Sequence, residues 1–205
     1  MSRLEARDLA VARGDSRLFS GVSFQVADGE WLAVRGANGS GKTTLLRCLA
    51  GLTRPEAGEV FWDDRSARDE ASGFRASMLF AGHAPGIKDE LSAEENLASA
   101  LALRQVAADS AAIGDALGTV GLAKRRHLPA RRLSAGQRRR IGIARLVLDP
   151  AKLWILDEPL TALDADGETL LSGLLERHLA RGGLAVIATH HALATTGARE
   201  MRLGA

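Results

Sequence analysis

The chain has 205 residues, 46% of them hydrophobic and 25% charged, with a formal net charge of +2. These values are typical of a globular protein with one good core, and they favour neither nucleic acid nor a membrane as partner. A single cysteine, Cys48, excludes an internal disulfide, which fits a reducing compartment. The N-terminal residues lack the apolar run of a signal peptide, and no stretch reaches the ~20 apolar residues that span a bilayer.

Apolar patterning along the chain predicts both strands and helices. Alternating or continuous apolar residues predict strands at 4–11, 18–26, 31–34, 59–62, 77–81, 153–156 and 184–188. Glycine and proline predict turns at 13–16, 28–29, 55–58 and 82–86, and residues 63–76 are predicted as loop with some helix. Helical spacing predicts helices at 44–50, after a capping box at 92–95, around 113–120 and at 170–180.

Alternation of strands with helices predicts an α/β fold, in which a mostly parallel sheet carries helices on both faces. The first strands predict an antiparallel β subdomain at the N-terminus. From about 91 to 148 the sequence is helical, so we expect one domain over 1–205 with an inserted helical subdomain at 87–148. The α/β core would then comprise 1–86 and 149–205.

A glycine-rich loop joins the predicted strand at 31–34 to the predicted helix at 44–50, and it fits G-x-x-x-x-G-K-[ST]. Its glycines let backbone N–H groups surround a phosphate, and the helix N-terminus adds partial positive charge. Lys42 can reach the β- and γ-phosphates of a nucleotide, and the Thr43 hydroxyl can ligate Mg²⁺. The core is therefore predicted to be a P-loop NTPase core whose binding residues are Gly36, Ala37, Asn38, Gly39, Ser40, Gly41, Lys42, Thr43 and Thr44.

Two further segments carry candidate chemistry. Asp157 and Glu158 follow a buried strand, where Asp157 can hold Mg²⁺ and Glu158 can polarise the water that attacks the γ-phosphate. Before a predicted helix, Ser134 and Gln137 are spaced as a capping box with Gly136 between them. That segment could be a second anion site or an ordinary helix cap.

The order of these motifs resembles the ATP-binding cassette ATPases, and the resemblance covers nearly the whole chain. Residues 133–137 are similar to that family's L-S-G-G-Q signature, with Ala135 in place of the first glycine. The resemblance implies that Asp164 lies in the D-loop and that His190 is the switch histidine that contacts the γ-phosphate. It also implies two copies packed head to tail around two ATP molecules, each phosphate loop facing the partner's signature.

Two positions depart from the general cassette pattern. The Q-loop glutamine, which ligates Mg²⁺ and senses the transmembrane partner, falls on His83, although Mg²⁺ prefers oxygen ligands. The aromatic residue that stacks on adenine falls near Arg13, whose guanidinium plane can also stack on a base.

The segment G-H-x-P-G-I-K at 82–88 resembles one branch of the family, the ATP-binding subunit of the cytochrome c maturation haem exporter, which has its own replacement of the glutamine. The runs at 133–140 and 153–159 are also similar to that branch. This resemblance implies a peripheral subunit on the cytoplasmic face of a bacterial inner membrane. It would dock on integral-membrane permease subunits and couple the hydrolysis of ATP to haem delivery.

Three alternatives stay open at this point: a cassette subunit for another cargo, a cassette ATPase acting on nucleic acid or ribosomes, and a non-catalytic nucleotide-binding adaptor. The arginine and lysine clusters at 124–126, 131–132 and 138–140 are interpreted as solvated faces, because no aromatic residues interleave to stack on bases. Direct contact with nucleic acid is therefore not expected, and membrane association is expected through partners alone.

Overall fold

The structure is a computed structural model that describes residues 3–14, 16–84, 86–191, 193, 195 and 197–204. Its strands are β1 (Arg3–Arg13), β2 (Ser16–Ala27), β3 (Trp31–Arg35), β4 (Ala57–Trp62), β5 (Arg65–Ser66), β6 (Met78–Ala81), β7 (Leu153–Asp157), β8 (Leu184–Ala188) and β9 (Ala198–Arg202). Its α-helices are α1 (Lys42–Leu49), α2 (Ala71–Ser77), α3 (Ala93–Leu103), α4 (Ser110–Thr119), α5 (Ala135–Leu148) and α6 (Ala165–Ala180). Asp15 and Pro85, in two of the predicted turns, lie outside the described residues.

The chain divides into two compact units, and the first comprises Met1–His83, Ala151–Pro159 and Glu176–Ala205. It contains a parallel sheet in the order β6-β7-β8-β3-β9. Strands β7 and β8 are buried at every residue, since helices pack on this sheet, as with α1 against β7 and β8. The continuous apolar runs that predicted these strands reflect burial on both sides, and the predicted α/β, P-loop NTPase fold class is confirmed.

The first unit also contains an antiparallel sheet in the order β2-β1-β4-β5. Its apolar side chains, including Leu4, Leu9 and Val26, join the same buried cluster as Leu45 and Ile155 beneath α1. Cys48 is part of this cluster, and burial raises the pKa of its thiol to about 11, which fits the predicted packing role.

The second unit comprises Ala84–Pro150 and Leu160–Leu175, and its helices α3, α4 and α5 pack on one another. Both predicted capping boxes are present. Ser92 and Glu95 close the first turn of α3, and Ser134 and Gln137 close the first turn of α5. The predicted boundaries of the helical subdomain, 87–148, stay a prediction.

Three differences from the sequence-based expectation have a clear physical origin. Strand β9 was not predicted, because Ala-Arg-Glu-Met-Arg lacks apolar alternation and forms a charged strand at the sheet edge. Ser77 ends α2 instead of starting β6, and its hydroxyl donates to the Gly73 carbonyl oxygen one turn back. Helix α6 begins at Ala165. The prediction starts at 170 because the first turn of the helix lacks apolar periodicity.

Candidate active site

The phosphate loop, residues 36–41, connects β3 to α1 within the first unit. Gly41 caps α1 in the left-handed conformation, with φ of 97°, which favours glycine. A Cβ atom on Gly36 would lie 2.5 Å from Ser40 Oγ and 2.7 Å from the Leu203 carbonyl oxygen, so no larger residue fits there. Ser40 Oγ is buried without a hydrogen-bond partner among the described residues. The loop thus has the tight backbone that an anion cradle needs.

Lys42, the first residue of α1, is 7% exposed and turns back over the loop. Its Nζ donates to the carbonyl oxygens of Gly36 at 2.8 Å and Ala37 at 3.1 Å. The same Nζ lies 3.0 Å from Nε2 of His190, in the segment after β8. A buried cation therefore sits over the loop and is held by groups that a phosphate could replace.

The side chain of Thr43 joins the loop to the end of β7. Its Oγ1 donates to Oδ2 of Asp157 at 2.9 Å, and Asp157 is only 1% exposed. Strand β7 places the carboxylate there because its C-terminal end lies at the same sheet edge as the loop that follows β3. The two residues predicted as Mg²⁺ ligands are thus in contact.

Glu158 follows Asp157 with a φ of 49°, an uncommon backbone conformation for a residue with a side chain. The backbone N–H of Glu158 donates to the Ala188 carbonyl oxygen at 2.9 Å, which ties this turn to the end of β8. Oε1 of Glu158 lies 3.2 Å from Nε2 of His190. One ring nitrogen of His190 is therefore within reach of both Lys42 and Glu158.

A second group of predicted residues lies in the second unit. Ser134, Gly136, Gln137 and Asp164 line one cleft of about 300 Å³. A Cβ atom on Gly136 would lie 2.7 Å from the Ala162 carbonyl oxygen, whereas Ala135 is exposed. Ala135, which replaces the first glycine of L-S-G-G-Q, thus stands where a methyl group has room.

Asp164 is held by two donors. Its Oδ1 accepts from the backbone N–H of Gly167 at 3.0 Å and from Nη2 of Arg140 at 2.5 Å. The Gly167 N–H, and then the Arg140 guanidinium, lower the pKa of Asp164 from its ordinary value. Asp164 therefore stays ionised with a fixed orientation at the start of α6.

Sequence reasoning missed Arg140, which was interpreted as part of a solvated arginine run. Its position four residues after Gly136, one helical turn on, places it on the same helix face and could have signalled its role. His83 is exposed in the segment after β6, and His191 is also exposed. The Arg13 side chain, predicted near adenine, lies outside the described part of the chain.

The fold and these contacts define a nucleotide-binding domain of the P-loop class. Residues 19–161 match the ABC transporter family. The chain is also similar to a solved structure described as the dimeric, post-hydrolysis state of the ATP-binding cassette MJ0796 bound to ADP and Pi. That similarity has a TM-score of 0.85 at 24% identity and covers 98% of this chain and 94% of the other.

Two curated relatives narrow the class. Both are named cytochrome c biogenesis ATP-binding export protein CcmA. The one from Methylococcus capsulatus is 52% identical over 94% of this chain and 93% of its own length. The one from Pseudomonas aeruginosa is 47% identical over 98% of this chain and 100% of its own. The chain therefore belongs to the ABC transporter family and, within it, to the family of the cytochrome c biogenesis ATP-binding export proteins.

The described residues also bear on membranes and metals. None of the helices they form combines the length and apolar character needed to cross a bilayer. The same residues contain no group of three or more His, Cys, Asp or Glu side chains that could hold a metal ion. A metal at Thr43 and Asp157 would thus need further ligands from a nucleotide or water.

Proposed function

We propose that this chain, an ATPase subunit of the ABC type, energises an export step in cytochrome c biogenesis with haem as the class of cargo. The contacts among Lys42, Glu158 and His190 beside the phosphate loop are the observation that carries the ATP-hydrolysing part. The names of the relatives support the export part.

The phosphate loop and the first turn of α1 would bind the nucleotide phosphates. Lys42 would exchange the Gly36 and Ala37 carbonyl oxygens for β- and γ-phosphate oxygens, which carry more negative charge. The buried Ser40 hydroxyl would gain the partner that the described residues do not give it. The proposed binding residues are Gly36, Ala37, Asn38, Gly39, Ser40, Gly41, Lys42, Thr43 and Thr44.

Thr43 and Asp157 fit a magnesium ion, because both offer hard oxygen donors and their side chains already meet at 2.9 Å. Bound there, Mg²⁺ would neutralise charge on the phosphate oxygens. Asp157 is buried in the strand end, so its carboxylate keeps a fixed position at the loop. Since the described residues contain no group of three or more His, Cys, Asp or Glu side chains that could hold a metal, we propose that nucleotide and water oxygens complete its coordination.

Glu158 would act as the general base that takes a proton from the attacking water. His190 would orient the groups that take part in this step. Its Nε2 lies 3.0 Å from Nζ of Lys42, a donor, and 3.2 Å from Oε1 of Glu158, an acceptor. Nε2 accepts from Lys42 in one tautomer and donates to Glu158 in the other. Moving Lys42 onto a phosphate would release His190 to engage Glu158 or the γ-phosphate.

The second group of residues would complete the site of another copy. Ser134 and Gly136 stand at the N-terminus of α5, where unpaired N–H groups and the helix dipole favour an anion. We propose that they face the γ-phosphate held by the partner copy, with Gln137 and Asp164 beside them. Two ATP molecules would then join two copies head to tail, and hydrolysis would separate them.

The proposed partners are a second copy of the chain and integral-membrane permease subunits, without direct contact to nucleic acid. The chain would then be a peripheral protein at the cytoplasmic face of a bacterial inner membrane. His83 stands where cassettes sense the permease, so it would relay motion there. We also propose a single domain over 1–205, with the α/β core at 1–86 and 149–205 and the helical subdomain at 87–148.

The test of this function is deletion of the gene in a host that makes c-type cytochromes. We expect covalent haem in those cytochromes to disappear by haem staining and to return when the intact gene is supplied. The variant Lys42→Ala should be produced but should not restore it. Normal haem staining in the deletion strain would refute the proposed role in cytochrome c biogenesis.

A further inference from the structure

Arg140 connects three elements of the second unit. It lies on α5, and its side chain is only 18% exposed. Nη2 donates to Oδ1 of Asp164 at 2.5 Å, and Nη1 donates to the Val120 carbonyl oxygen at 3.2 Å. Val120 is the C-cap residue of α4, and Asp164 directly precedes α6. One planar guanidinium therefore fixes the end of α4 and the start of α6 to the helix that begins at Ser134.

The segment before Asp164 meets the start of α5 at a second point. Gly136 lies so close to the Ala162 carbonyl oxygen that a Cβ atom would be only 2.7 Å from it. Ala162 itself has a φ of 65°, a conformation that a residue with a side chain seldom adopts without support. The contacts of Gly136 and Arg140 give that support from one face of α5, four residues apart.

The surroundings of Arg140 favour this arrangement over a mobile surface ion pair. Gly121, directly after Val120, has a φ of 76°, and a Cβ atom there would lie 3.1 Å from Arg140 Nη1. The backbone around residue 121 thus leaves space for the guanidinium. Asp164 is 66% exposed, and exposed ion pairs contribute little to stability. If the pair served folding alone, its loss would therefore have only a small effect.

We propose that Arg140 is a positioning residue for ATP-dependent dimer closure and hydrolysis. It holds the segment of Ala162 and Asp164 in a fixed position against the N-terminus of α5, which carries Ser134 and Gly136. The two segments then form one surface that contacts the second copy. This inference rests on the proposed function, in which Ser134, Gly136 and Asp164 lie beside the nucleotide of the partner copy. Arg140 acts through Asp164 and touches no substrate.

The test uses the full chain carrying Arg140→Gln, because glutamine keeps a polar, helix-compatible side chain but is two bonds shorter than arginine and cannot form the ion pair. We expect kcat for ATP hydrolysis to fall about tenfold, in line with the coupling between contacting charged residues, while ATP binding to the monomer is unchanged. Arg140→Lys should restore part of kcat. The control is Arg126→Gln, which breaks an Arg–Glu pair of the same unit, with Glu94, and should leave kcat unchanged.

A double-mutant cycle with Asp164→Asn distinguishes positioning from lost stability. Asparagine keeps an oxygen for the Gly167 N–H, so helix α6 retains its cap. If Arg140 acts through Asp164, the double variant should be no slower than the slower single variant. Additive losses of kcat, an unchanged kcat in Arg140→Gln, or an equal loss in Arg126→Gln would each overturn the inference. The proposed function would survive those results, since it is tested separately by ATP hydrolysis of the unmodified protein and by haem staining of the deletion strain.

Discussion

The substitution Gly136→Ala tests the packing of the candidate signature segment. Its Cβ atom would be 2.7 Å from the Ala162 carbonyl oxygen, a backbone atom that cannot rotate away. Overpacking of this kind destabilises a protein by about 1–3 kcal/mol. For a chain of this size that corresponds to a Tm lower by about 2–12 °C. The displaced segment carries Asp164, so kcat for ATP hydrolysis should fall as well.

The matched control is Gly118→Ala in α4, where nothing lies within 4 Å of the added Cβ atom. There the methyl group should stabilise by about 0.5–1 kcal/mol through helix propensity, and kcat should not change. Differential scanning calorimetry gives Tm, and release of inorganic phosphate gives kcat. A Gly136→Ala variant that raises Tm as Gly118→Ala does and keeps full activity would show that residue 136 has room for a side chain.

Four further substitutions give expected outcomes. Ser92→Ala and Ser134→Ala should each lower stability by about 1 kcal/mol, since each removes a capping box, but only Ser134→Ala should also reduce kcat; equal activities would argue against a role for Ser134 beyond the cap. Asn96→Ala removes side-chain hydrogen bonds to the backbone of Lys88, Leu91 and Ser92 and should destabilise by about 2–4 kcal/mol in urea unfolding; a change under about 0.5 kcal/mol would contradict it. Burial against Trp154 lowers the pKa of His178 below 6.5, so the unfolded chain takes up this proton first as pH falls. Stability should therefore decrease from about pH 6.5 downward, and His178→Gln should weaken that slope; an unchanged slope would exclude His178 as its source.

The phosphate loop and Asp157 were predictable because their signals are local. Glycine spacing, a buried strand on one side and a helix on the other specify the loop within about twenty residues. The apolar run of β7 likewise specifies where Asp157 emerges. These local signals are enough to predict that Thr43 and Asp157 lie near each other, because the carboxyl ends of parallel strands share one edge of the sheet.

The contacts that escaped prediction depend on residues distant in sequence. Arg140 meets Asp164, 24 residues on, and its spacing from Gly136 indicates a shared helix face but not this partner. Strand β9 is defined by pairing with β3, not by its own charged sequence. The positive φ of Glu158 and Ala162 depends on long-range hydrogen bonds and packing, as with the Glu158 N–H, which donates to the Ala188 carbonyl oxygen.

We propose that this chain binds a magnesium nucleotide at the phosphate loop and that a second copy completes the site. The most direct measurement is the molar mass of Glu158→Gln by size-exclusion chromatography with light scattering, with and without Mg-ATP. Removing the base while keeping the side-chain shape should stop turnover and trap the ATP-bound dimer, with monomer alone in the absence of nucleotide. A variant that stays monomeric with bound ATP, or that hydrolyses ATP at the unmodified rate, would contradict the account.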